Sequence, residues 1–92
     1  MSVRLPVRNH GERMLAVYIE PIAADYWLRP DEELTVLARD GAQFSVSVGA
    51  DESGEQLTVW IYQDGDPHQV IMDYQVLDAR GTELEYGYQR VE

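Results

Sequence analysis

The chain of 92 residues contains no cysteine. This absence excludes disulfide bonds, thiolate metal sites and cysteine nucleophiles, and it agrees with a reducing compartment. No apolar run approaches the roughly 20 residues of a membrane-spanning helix, and the opening MSVRLPVRNH has no hydrophobic signal core. We therefore expect a cytoplasmic protein that does not enter a membrane.

Lysine is also absent, so the only cations are seven arginines, against seventeen acids and a formal net charge of −10. Three arginines and one glutamate give residues 1–13 a net +2, which leaves −12 for residues 14–92. Direct binding of nucleic acid is disfavoured because phosphate contacts need clustered cations. The acidity predicts either a basic protein partner or a solvated surface that keeps a small domain soluble.

Turn-forming residues recur every eight to twelve positions, and the apolar residues between them alternate. Alternation of this kind is typical of strands that each bury one face. The clearest examples are Leu15, Val17 and Ile19; Phe44, Val46 and Val48; and Leu57, Val59 and Ile61. We predict one all-β domain, residues 1–92, folded as an antiparallel β-sandwich of seven or eight short strands.

Local signals refine this prediction. Pro6 cannot donate to a central ladder, so the first strand is expected at a sheet edge. The segments DGDP and GADESGEQ are expected to be hairpin or loop tips, the second long enough to be mobile, and residues 22–26 are the expected place for a single helical turn.

The stretch RPDEELTVLARDG, residues 29–41, fits both a capped helix and a turn followed by a strand. Helix propensity barely separates the two. The alternation on either side favours the strand, with Leu34, Val36 and Ala38 buried. Pro30 then occupies the second position of a turn in which Asp31 tolerates the bend.

The run VYIEPIAADYWLRPDEELTVLA, residues 17–38, resembles a pattern of small bacterial β-sandwich proteins: strand, Glu-Pro, aromatic, Leu-x-Pro-Gly-Glu, strand. It covers about a quarter of the chain, and its Pro-Gly-Glu turn is shared by many sandwiches, cupredoxin-like ones included. The family has Trp-Gly where this chain has Ile22-Ala23, and Gly where it has Asp31. The resemblance implies a sandwich fold and brings no activity and no catalytic residue.

The chain carries little chemistry for catalysis. His10 and His68 are the two histidines, so the His₂Cys copper set of cupredoxins is excluded. A zinc or calcium site at Asp64, Asp66 and His68 is disfavoured because DGDPH is more simply a turn whose aspartates bind their own backbone. No nucleophile elbow or phosphate-binding glycine loop occurs. We expect no metal, no cofactor and no enzymatic activity.

With no catalytic site predicted, the remaining functional feature is a set of aromatic side chains on the outside of the sandwich. If Leu57, Val59 and Ile61 face the core, Trp60 and Tyr62 face outward, and Tyr18 does so by the same logic. These aromatics either lie beneath a covering loop, IAADYW, or form a binding patch. The predicted binding surface is Tyr18, Glu20, Tyr26, Trp27, Asp31, Glu32, Glu33, Trp60, Tyr62, Asp64 and Asp66.

Three functions fit these features. The first is an acidic protein-binding domain, such as an inhibitor or immunity-type protein for a basic enzyme. The second is a ligand- or carbohydrate-binding module that uses the same aromatic face. The third is a structural domain that self-associates as a homodimer through a strand edge.

Overall fold

The computed structural model describes residues 2–21, 23–52, 54–63, 65–71 and 73–90, apart from the side chain of Pro67. These residues form eight strands: β1 (Ser2–Arg8), β2 (Leu15–Glu20), β3 (Ala24–Leu28), β4 (Glu33–Arg39), β5 (Ala42–Asp51), β6 (Gly54–Gln63), β7 (Asp66–Val70) and β8 (Tyr74–Asp78).

The strands make two sheets that pack face to face, which confirms the predicted β-sandwich. The three-stranded sheet has the order β1-β4-β8, with the Pro6 strand at its edge as expected. The five-stranded sheet has the order β3-β2-β6-β5, and β7 pairs with the end of β6. One pair departs from the antiparallel expectation, since β2 and β6 run parallel. Three strands separate them along the chain, which gives the connection a parallel pair requires.

The core lies between the sheets and is built by the alternating residues. Val17, Ile19, Val59 and Ile61 of the five-stranded sheet are fully buried, as are Leu34 and Val36 of the three-stranded sheet. Tyr26 also lies here and is 5% exposed, so its predicted place on the binding surface is wrong. It alternates with Ala24 and Leu28 on the core side of β3. Burial raises the pKa of the Tyr26 hydroxyl, which bonds to that of Tyr74 across the sandwich.

The segment that fitted both helix and strand is a turn followed by β4, as the alternation predicts. The Glu32 amide donates to the Arg29 carbonyl at 3.1 Å, which closes a turn over residues 29–32. Asp31 has φ 69°, the positive value required at the third position of a type II turn.

The helical turn expected at residues 22–26 is wrong, because Ala24–Leu28 is the strand β3; Ile22 lies outside the described residues. Backbone pairing on both sides explains the extended conformation. β2 pairs along one edge, and on the other the Trp27 amide donates to the Tyr88 carbonyl at 2.9 Å. A tertiary contact more than sixty residues away in sequence thus overrides a weak local helix signal.

The segment GADESGEQ is a hairpin tip, one of the two alternatives predicted for it, and strands β5 and β6 extend into it as far as the pair Asp51 and Gly54. The predicted burial of the apolar face of β5 is incomplete. Phe44 packs against the core, whereas Val46 is 45% exposed and Val48 is 76% exposed. The three-stranded sheet is the narrower of the two, and it leaves this part of β5 uncovered.

The β-sandwich pattern that residues 17–38 resemble has glycine at two positions where this chain has a strained backbone. Ala23 has φ 57° and Asp31 has φ 69°. A left-handed conformation costs a residue with a Cβ about 1 kcal/mol, and glycine avoids this cost.

We expect Ala23→Gly to raise the free energy of unfolding by up to about 1 kcal/mol. Chemical denaturation measures it, with Ala24→Gly as the control. Ala24 is a buried strand residue without positive φ, so its replacement should destabilise the fold. Equal losses from both substitutions would show that the φ of Ala23 stores no strain.

Candidate binding face

The side of the five-stranded sheet that points away from the core, here called the outer face, gathers most of the aromatic residues that the sequence singled out. Its positions alternate with the buried valines and isoleucines of β2 and β6 and follow from the strand registers. They are Ala16, Tyr18, Glu20, Asp25, Trp27, Gln43, Ser45, Ser47, Gly49, Asp51, Gly54, Gln56, Thr58, Trp60 and Tyr62.

Trp60 lies at the middle of one row of this face. It is in register with Ser45 on one side and with Glu20 on the other. In the next row Thr58 lies between Ser47 and Tyr18. A shallow cavity of about 540 Å³ sits over these rows, lined by Ser45, Ser47, Thr58, Trp60, Tyr62 and His68.

No part of IAADYW that the structure describes forms a lid over this face. Ala24–Leu28 adds β3 to the sheet beside β2, so this segment widens the face instead of covering it. Trp27 and Tyr18 are partly exposed, as are Trp60 and Tyr62. Of the two interpretations of the sequence, the structure favours the exposed patch.

At the β3 end of the face, Asp25 holds two other side chains in place. Its Oδ2 accepts hydrogen bonds from the indole Nε1 of Trp27 at 2.8 Å and from Nε of Arg90 at 2.7 Å. Its Oδ1 accepts from Nη2 of Arg90 at 2.6 Å. The bond to Arg90 lowers the pKa of Asp25 to about 2, against the opposing effect of burial. The Asp25 carboxylate thus holds the indole of Trp27 by a hydrogen bond and ties the C-terminal segment to β3 by the ion pair with Arg90.

The two outer faces of the sandwich differ in charge. Among the described strand positions of the five-stranded sheet, the outer face presents Glu20, Asp25 and Asp51 and no arginine. The opposite face, on the three-stranded sheet, presents Arg4, Arg8 and Arg39 together with Glu33. The strand positions on the aromatic side therefore carry net negative charge, and those of the opposite face carry net positive charge.

The acidic turn of Asp31, Glu32 and Glu33 lies at the other end of the sheet from Trp60. Leu28, just before this turn, pairs with Leu15, and Leu15 pairs with Glu55. Trp60 is five positions further along β6, about 17 Å away at the usual rise per residue. These three members of the predicted binding surface therefore do not lie beside Trp60.

These acids are also partly engaged within the protein. Oε1 of Glu32 accepts from the Arg29 amide at 2.7 Å and from Nε2 of Gln89 at 2.8 Å. Glu33 lies 3.5 Å from Nη1 of Arg8. With Asp78, Arg80 and Tyr88, the turn borders a second cavity of about 470 Å³.

Of the two aspartates expected in the DGDP turn, Asp64 lies outside the described residues. Oδ1 of Asp66 accepts from the His68 amide at 2.9 Å, the local turn contact that the sequence suggested. The same contact places Asp66 next to His68, at the border of the cavity over Trp60.

Sequence reasoning missed four residues of the cavity: Ser45, Ser47, Thr58 and His68. The three hydroxyl residues could have been found, because they alternate with apolar residues on β5 and β6. His68 could not, because its position depends on a bulge in the pairing of β7 with β6.

Comparisons of this chain with family models, with curated proteins and with solved structures find no match. Within the described ranges there is no group of three or more histidines and acids that could hold a metal ion. The same part of the chain has no helix with the length and apolar character of a membrane span. Any functional argument therefore rests on the binding face itself.

Proposed function

We propose that this protein is a non-catalytic protein-binding domain that engages a basic partner in the cytoplasm through the outer face of its five-stranded sheet. One observation carries the proposal: Trp60, Tyr62 and Tyr18 share a face whose strand positions bring carboxylates and no arginine. An inhibitor or immunity-type role for a basic enzyme fits this surface.

The physical basis is the pairing of an aromatic platform with nearby negative charge. An arginine or lysine of the partner can stack on the ring of Trp60 while Glu20, in the same row, neutralises its charge. Large aromatics contribute contact area at a low entropic cost and are enriched among interface hot spots. The net charge of −10 accelerates the encounter with a cationic surface.

A second candidate function is favoured by the lining of the cavity. Three hydroxyl side chains, Ser45, Ser47 and Thr58, line the same cavity as the two aromatic rings. A neutral sugar could stack on Trp60 and exchange hydrogen bonds with these hydroxyls. Sugar binding would depend little on salt, whereas binding of a basic protein weakens as salt screens the charges.

We expect Trp60→Ala to weaken partner binding by about 2 kcal/mol, or roughly thirtyfold, because it removes the central contact of the face. The measurement is a pull-down from the source cell, followed by titration of the purified partner at about 0.05 M and about 0.5 M salt. Glu20→Gln keeps the platform and should weaken binding only at low salt. Tyr86→Ala is the matched control, because Tyr86 is 73% exposed and lies on the C-terminal segment, outside the cavity lining.

Thermal melts of each variant separate loss of contact from loss of fold. Equal affinity for wild type and Trp60→Ala, both folded, would overturn the proposal. Unchanged affinity at high salt, together with a Trp fluorescence response to a neutral oligosaccharide, would favour sugar binding as the function of the outer face.

A further inference from the structure

The edge strand β5 differs from every other sheet edge that the structure describes. It pairs with β6 along all ten of its residues, and no described strand pairs with its other side. The segment Ala42–Ala50 contains no charged residue, although 26% of the chain is charged. Natural edge strands are usually protected by charges, proline, bulges or covering segments.

The remaining edges have such protection. β1 carries Pro6 between two arginines. The outer side of β3 is covered by the C-terminal segment, through the Trp27 amide and the Tyr88 carbonyl. The outer side of β8 is covered as well, since the Leu84 amide donates to the Val76 carbonyl at 2.7 Å. The strand β7 begins with an aspartate and a proline. Among the described edge strands, only residues 42–50 of β5 form an uncharged and unprotected edge.

Exposed apolar side chains accompany this edge. Val46 and Val48 point to the core side of the sheet, in line with Val59 and Leu57, yet they are 45% and 76% exposed. A strand added beside β5 would extend the sheet and bring its own side chains into lateral contact with them.

The sequence of β5 indicates what that strand is. AQFSVSVGA, residues 42–50, is nearly symmetric about Val46. Antiparallel pairing of two copies centred there places Val46 opposite Val46, Phe44 opposite Val48 and Ser45 opposite Ser47. Apolar side chains then meet on the core side and hydroxyls on the outer face, and no two like charges are opposed within this segment. Pairing with a different protein would not require this symmetry.

We propose that two copies of this chain form a two-fold dimer by antiparallel pairing of their β5 strands, centred on Val46. The two five-stranded sheets become one continuous sheet, and the two cavities meet at the junction, where each is bordered by Ser45 and Ser47 of both copies. The dimer does not depend on the proposed function. Its salt response is opposite to that of basic-partner binding, because screening relieves the repulsion between two chains of charge −10.

Sedimentation equilibrium tests the association. We expect a mass of twice the chain's 10.5 kDa, with tighter dimerisation at higher salt. Val48→Glu should raise the dimer dissociation constant at least about tenfold, because it sets a carboxylate against Phe44 of the second copy. Tyr86→Glu adds the same charge at a similarly exposed aromatic, away from β5, and should leave the constant unchanged. A monomeric wild type at about 1 mM, or equal effects of both variants in folded protein, would overturn the proposal.

Disulfide formation tests the register, since any introduced cysteine is the only one in the chain. Val46→Cys should form a covalent dimer under mild oxidation, because directly opposed strand residues lie within disulfide distance. Val48→Cys is the control: in this register its two copies are four residues apart, about 14 Å, which is too far. Val48 is the more exposed of the two, so random collision would cross-link it faster. Faster cross-linking of Val48→Cys would contradict the two-fold centre at Val46.

Discussion

Replacing Asn9 with alanine is expected to lower the free energy of unfolding by about 3 kcal/mol. The Asn9 side chain is buried and satisfies three backbone groups. Its Nδ2 donates to the Arg13 carbonyl at 2.8 Å and to the Leu28 carbonyl at 2.9 Å, and its Oδ1 accepts from the Gly11 amide at 2.9 Å. Alanine leaves these groups without their partner, and a buried unsatisfied group costs about 1–3 kcal/mol. Asn9 therefore joins the β1–β2 loop to the end of β3.

Urea denaturation with linear extrapolation measures this loss. His10→Ala is the matched control, because His10 lies in the same loop with an exposed side chain, and its replacement should change stability by less than about 0.5 kcal/mol. A similarly small change for Asn9→Ala would mean that other contacts hold the β1–β2 loop against the end of β3.

Asp25→Asn is expected to cost about 2 kcal/mol at pH 7 and almost nothing near pH 2. The folded pKa of Asp25 is about 2, below its ordinary value of 3.8, and the bond to Arg90 is the main cause. A lowered folded pKa stabilises the fold fully above pH 4 and loses this contribution as the pH falls toward 2. Solvent screening limits the stabilisation from this ion pair, because the Arg90 side chain is 48% exposed.

Denaturation curves of wild type and Asp25→Asn between pH 7 and about pH 2 give this profile. Asp73→Asn removes the same charge from an exposed position and should show no such pH-dependent gap. A gap between wild type and Asp25→Asn that stays constant with pH would contradict the ion pair as its source. Because Asp25 also binds the indole of Trp27, this variant should loosen that end of the outer face.

The sequence predicted those parts of the fold that depend on local pattern. The alternation of Leu34, Val36 and Ala38 identified β4. Helix propensity did not distinguish a strand from a helix in this segment. Pro6 predicted that β1 lies at a sheet edge, because proline has no amide proton to donate to a strand on a second side. The outward direction of Trp60 and Tyr62 followed from the period of two along β6.

Features that depend on which strands are neighbours could not be predicted. Asp31, Glu32 and Glu33 were predicted to share one binding surface with Trp60, but only the register of β3 with β2 and β6 shows that they lie at opposite ends of the sheet. Burial of Val46 and Val48 was expected from alternation, which reveals the face of a strand but not whether another sheet covers it. The partner of Asp25 is Arg90, sixty-five residues away, which no local pattern indicates.

The central claim is that the outer face of the five-stranded sheet binds the partner, and amide chemical-shift mapping of the protein with its captured partner tests it most directly. We expect the largest shifts in β2, β5 and β6 around Tyr18, Ser47 and Trp60, with β1, β4 and β8 unchanged. Shifts centred on the arginine-bearing face of the three-stranded sheet, with the outer face silent, would contradict the account.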